Sequence, residues 1–137
     1  MELRIRRDYR NTLNEFFRRM FAPEELSREM ENRLAHEVVM LGRHPEPEVA
    51  GAGLQILATA DLRESLSVID LPALIIHGAE DSICPPAAGR YLAENIPGAR
   101  LELLEGMGHA PFLSHPELFN QLLLDFESSL NTETQRH

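Results

Sequence analysis

Two stretches in the second half of this chain are strand-sized, and one helix-sized stretch separates them. The first, "LPALIIHG", is rich in β-branched residues and closes on glycine. The second, "RLELLEG", alternates before it also meets glycine. Between them lies "PPAAGRYLAENIPGA", a helix with a proline start and a Pro-Gly stop. This order makes a βαβ unit, whose strands run parallel with a right-handed crossover. Such strands are expected to be buried on both faces, and two of them bury little alone. The run "ALIIHG" therefore presents an apolar edge where more sheet belongs, which is an aggregation hazard unless something pairs with it.

Residues 1 to about 66 read as helices only. "RRDYRNTLNEFFRRMF" places Tyr9, Leu13, Phe16, Phe17 and Met20 on one stripe. Ala22-Pro23 breaks that pattern, and Pro23 is expected to serve as the first-turn proline of a second helix. That helix, "PEELSREMENRLAHEVVML", carries Leu26, Met30, Leu34, Val38 and Leu41, with acidic residues in its first turn to complement the dipole. Gly42 stops it. A third helix runs roughly from Pro47 to Ala58, with Gly51 and Gly53 either weakening it or allowing close packing. His36 and His44 read as surface or core-edge histidines. After the second strand, a last helix is expected from about His115 to Leu130. Ser114 and Glu117 form a capping box there, Pro116 lies in the first turn, and His115 has a plain structural place at the helix start. The tail "NTETQRH" is polar.

The bulk numbers narrow the function. A length of 137 residues is one domain or part of a larger one. A net charge of −9 argues against nucleic-acid binding. No run reaches the roughly 20 apolar residues of a membrane span, and "MELRIRRDYR" lacks the apolar core of a secretion signal. One cysteine gives no disulfide framework, so a reducing cytoplasm is expected. All 13 cationic residues are arginine. Arg4, Arg6, Arg7, Arg10, Arg18 and Arg19 crowd the start, forming either a solvated helix face or a patch for an acidic or phosphorylated partner.

In open parallel sheets, functional residues gather at the carboxyl ends of the strands. Here the first strand ends in "HGAEDSICP" and the second in "EGMGHAP". Asp81 after one strand and His109 after its parallel neighbour share one rim. That is the arrangement of a carboxylate orienting an imidazole. Cys84 reads as a small filler three residues past the acid and on its loop. The spacing of Asp81, Cys84, His109 and His115 fits no usual zinc pattern, so neither metal nor cofactor is expected.

"PALIIHGAEDSICP" followed by "GMGHAPFLSHPELFNQLLLDF" resembles the C-terminal portion of the α/β-hydrolase superfamily. It is most like the biotin-synthesis carboxylesterases that hydrolyse the methyl ester of pimeloyl-carrier protein. "RRDYRNTLNEFF" and "GLQILATADLRESLSVIDLP" are similar to that family's lid and to the segment returning from lid to sheet. The resemblance spans about Arg7 to Leu130. It implies an α/β class with an incomplete hydrolase fold: a helical lid segment over residues 1–66, and a two-strand parallel βαβα unit over 67–137. It also makes Asp81 the triad acid and His109 the triad base. The family's nucleophile sits in G-x-S-x-G on a strained strand-to-helix turn, and this sequence has none. Ser27, Ser65, Ser67, Ser82, Ser114, Ser128 and Ser129 all lack the flanking glycines. The chain alone is therefore expected to be inactive. An N-terminal hydrolase half, or a second copy, is expected to complete the sheet. An acidic acyl-carrier protein is a candidate partner for the arginine-rich first helix. The alternative is a truncated, non-catalytic relative acting as an oligomeric interaction module.

Overall fold

The computed structural model describes residues 8–42 and 44–134. Arg4, Arg6 and Arg7 of the arginine cluster lie outside the described residues. Helix α1 (Tyr9–Arg18) turns its stripe inward as the spacing predicts. Phe17, 2% exposed, packs with Leu34 and Val39, and Leu13, Met20, Phe21, Leu26 and Met30 pack around them. Phe17 and Phe21 meet edge to face, their centroids 5.2 Å apart.

Helix α2 (Arg28–Ala35) begins later than Pro23. Pro23 instead sits in a turn that the Glu25 N–H closes on the Ala22 carbonyl at 3.2 Å. Glu24 in that turn has φ +66°, which a right-handed helix cannot contain. The helix waits for Ser27, whose hydroxyl caps it by accepting from the Met30 N–H at 3.2 Å. A π-helical turn, His36–Met40, ends it. His44 Nε2 lies 2.7 Å from the Val39 carbonyl, so this histidine closes the end of that segment. Helix α3 (Pro47–Thr59) starts with proline at its first turn as expected. The Tyr9 hydroxyl donates to the Pro45 carbonyl at 2.7 Å, tying α1 to the approach to α3.

A 3₁₀ turn (Arg63–Val68) leads to β1 (Leu74–Gly78), α4 (Pro86–Asn95) and β2 (Arg100–Leu104). A short α5 (Pro111–Ser114) and a long α6 (Pro116–Thr134) follow. The strands form a parallel two-stranded sheet, Leu74 opposite Arg100 through to Gly78 opposite Leu104. Helix α4 packs on both strands. The expectation that β1 is buried on both faces is not met. Leu74, Ile75 and Ile76 are only half-buried, because among the described residues β2 and helix α4 supply the main packing on β1. The capping box at Ser114 does not form either. The Ser114 hydroxyl bonds the Glu25 carboxylate instead, and His115 precedes α6, its carbonyl accepting from the Phe119 N–H.

Candidate functional site

The ends of β1 and β2 are joined main chain to main chain. The Ala79 N–H donates to the Leu104 carbonyl at 2.8 Å, and the Glu80 N–H to the Met107 carbonyl at 2.9 Å. A Cβ on Gly78 would lie 1.9 Å from the Gly108 carbonyl oxygen. Only glycine lets the two loops touch there. This contact brings together the two residues that the sequence places on one rim: His109 Nδ1 lies 2.8 Å from Asp81 Oδ2.

The side chain of Asp81 is 3% exposed and that of His109 32%. The other oxygen of Asp81, Oδ1, accepts from the Ile83 N–H at 2.8 Å and the Cys84 N–H at 2.9 Å. Burial pushes the Asp81 carboxyl up. The hydrogen bonds from His109 and from the two amides together outweigh it and hold the group below the usual carboxylate range. Asp81 thus stays ionised and fixes His109 with Nδ1–H as donor. Nε2 of His109 has no hydrogen-bond partner among the described residues. That is the arrangement of a base ready to take a proton.

Several neighbours escaped the sequence reading. Nε2 of His77 lies 2.9 Å from the Cys84 carbonyl and 3.5 Å from Asp81 Oδ2, so His77 ties β1 to the loop that follows it. The only sequence signal for it was its place on the strand four residues before Asp81. The His109 N–H donates to the Met20 carbonyl at 2.6 Å, and Glu25 accepts from Gly108. Burial, then the Asp81 charge, pushes the Cys84 thiol up, away from the thiolate that a nucleophile needs. The ligand atoms of Asp81, Cys84 and His109 lie within 4.8 Å of one another, and Asp81 and His109 are hydrogen-bonded to each other there. His115 turns Nδ1 to the Ser114 hydroxyl at 3.0 Å. An open cleft of about 780 Å³, lined by residues such as Asp61, Arg63 and Tyr91, does not include the Asp81–His109 pair.

Residues 7–115 match the family described as serine aminopeptidase, S33, an α/β-hydrolase family. The chain belongs to the α/β-hydrolases. It is similar to pimeloyl-[acyl-carrier protein] methyl ester esterases. One from Nitrosomonas europaea is 40% identical over 116 residues, 84% of this chain and 45% of the relative. Another, from Yersinia enterocolitica, is 38% identical over 125 residues, 91% of this chain and 48% of the relative. Among solved hydrolase structures, an esterase from Exiguobacterium antarcticum superposes with a TM-score of 0.81 at 29% identity, covering 91% of this chain and 45% of that one. The enol-lactonase from Burkholderia xenovorans gives 0.81 at 26% identity, covering 93% and 48%. This hydrolase chain thus spans about half the length of the relatives it matches. Its two-stranded parallel sheet is correspondingly a part of the larger fold.

Proposed function

We propose that this chain is the acid–base portion of a serine carboxylesterase acting on acyl esters, with the methyl ester of pimeloyl-carrier protein in biotin synthesis as substrate. The observation that carries the reading is the 2.8 Å contact of His109 with a buried Asp81, the opposite ring nitrogen being without a partner among the described residues. In this reading Nε2 takes the proton of a serine hydroxyl as that oxygen attacks the ester carbonyl. It then returns the proton to the departing alcohol, while Asp81 stabilises the imidazolium between the two steps. The sequence holds no G-x-S-x-G. The serine and the oxyanion-stabilising amides therefore come from an N-terminal hydrolase half that pairs along an open strand edge. Residues 1–66 act as lid and residues 67–137 as the sheet portion, in the cytoplasm. Arg10, Arg18 and Arg19 are exposed on or just after α1, which supports a role for that helix toward an acidic carrier protein.

A p-nitrophenyl ester assay tests this reading. Turnover is expected only when an N-terminal half containing G-x-S-x-G is added, and His109→Ala then lowers it by roughly 10³-fold or more. A mixture that hydrolyses nothing, or a His109→Ala chain as active as the original, overturns it.

Exposed Ile56, Leu57, Leu62, Val68 and Leu71 favour a second reading. There the chain is a non-catalytic, oligomeric interaction module. Light scattering after size exclusion is then expected to show an assembly of this chain alone, with the ester mixture inert. A well-folded monomer counts against it.

A further inference from the structure

We infer that Glu25 is a positioning residue for His109: it fastens the turn after α1 to the loop that carries the histidine. This rests on the reading of His109 as the general base. Glu25 is half-buried, and both of its carboxylate oxygens are used. Oε2 accepts from the Ala22 N–H at 2.6 Å and from the Gly108 N–H at 2.8 Å. Oε1 accepts from the Ser114 hydroxyl. One side chain therefore joins its own turn, the residue before His109 and the end of α5.

Two further observations bear on the same place. The Met20 carbonyl accepts from the His109 N–H at 2.6 Å and from the Ala110 N–H at 3.3 Å, so the backbone of the histidine loop lies against the end of α1. A Cβ on Gly108 would fall 2.6 Å from the Met20 carbonyl oxygen and 2.7 Å from the Ala22 nitrogen, so the two segments are in direct backbone contact. The turn itself holds Glu24 at φ +66°, a conformation that a non-glycine residue keeps only when its surroundings enforce it. Glu25 is the group able to enforce it, since its N–H and its carboxylate both bond back to Ala22. Asp81 fixes the ring of His109 from one side. Glu25 fixes the backbone from which that ring projects. What matters is the reach of the side chain, because the three donors all meet its terminal carboxylate.

Nuclear magnetic resonance of the ¹⁵N-labelled full chain tests the inference. In the original protein the His109 Nδ1–H is expected to give a low-field resonance that Asp81→Asn removes. Glu25→Asp keeps the charge but withdraws it by one methylene. It is expected to lose that resonance to solvent exchange and to speed Gly108 amide exchange by about tenfold, the effect of one lost hydrogen bond. Glu25→Gln is expected to keep both signals, because its carbonyl still accepts from the amides and its NH₂ donates to the Ser114 oxygen. Glu25→Asp behaving like the original, or Glu25→Gln losing as much as Glu25→Asp, overturns the inference. Should Glu25→Asp not fold, Ser114→Ala decides. Gly108 exchange is then expected to rise several-fold while the β1 and β2 amides hold, and no change overturns the inference. If the original chain lacks the Nδ1–H resonance, the acid–base reading fails, and Gly108 exchange still tests the role of Glu25.

Discussion

In the helical region, Phe17, Leu34 and Val39 bury their side chains against one another. At the strand ends the contacts are main chain on main chain, and the strands' own apolar side chains are only half-buried. The two regions thus hold their shapes by different means. A side-chain core gains free energy in proportion to apolar area and tolerates small rearrangements. A backbone joint fixes position within tight limits and tolerates almost no added atoms. The site residues stand on the second kind of support, which suits a pair that must meet at hydrogen-bond distance.

Substitutions distinguish the two kinds of support. Phe17→Ala removes the most buried large side chain and is expected to cost about 4 kcal/mol in urea unfolding. The Asp81–His109 contact should survive in whatever fraction stays folded. Equal damage at the strand ends would show that the two regions are one cooperative core. Gly78→Ala adds a single carbon, but that carbon would fall 1.9 Å from the Gly108 oxygen. The expected cost is about 3 kcal/mol, with loss of any His109 Nδ1–H resonance. A cost near zero would mean that the joint can open without disturbing the site.

Asp81→Asn tests the charge at the strand ends through pH. The folded carboxyl titrates below its unfolded value, so its contribution to stability is present above the ordinary carboxylate range and is lost as pH falls through the folded value. The stability gap between the original chain and Asp81→Asn, measured by urea titration, should therefore be full at neutral pH and shrink below about pH 4. A gap that does not change with pH would mean that the charge of Asp81 is not what the loop uses. Arg63→Ala should have the smallest effect. Arg63 and Asp61 meet at 2.5 Å, and the hydrogen bonds from Arg63 push the Asp61 carboxyl down to about 2, but both are exposed. Water screens such pairs, so no resolvable shift is expected in a thermal melt.

The sequence made the βαβ unit and its rim legible because punctuation there is local. Glycine closes each run, proline opens the helix, and Asp81 and His109 follow at matching strand ends. Helix α1 was legible through its stripe. The Pro23 start failed because a proline suits a turn as well as a first helical turn, and only Glu24's backbone angle decides between them. The Ser114 capping box failed for a related reason. A serine near a helix start satisfies the motif, but Glu25 competes for its hydroxyl from 89 residues away. Bonds of that span leave no periodic trace, so Glu25 and the Met20 carbonyl were invisible in the sequence.

The two oxygens of Asp81 are divided between its own loop and His109. That division sets an order of decay. In a descendant released from any chemical duty, losing His109 would break one of the three hydrogen bonds that Asp81 accepts and leave the buried Oδ2 without it. Losing the acceptor at position 81 would break all three, the Ile83 and Cys84 amides included. Position 81 therefore carries more of the loop's bonds than position 109, and relaxed constraint should reach the histidine before the aspartate.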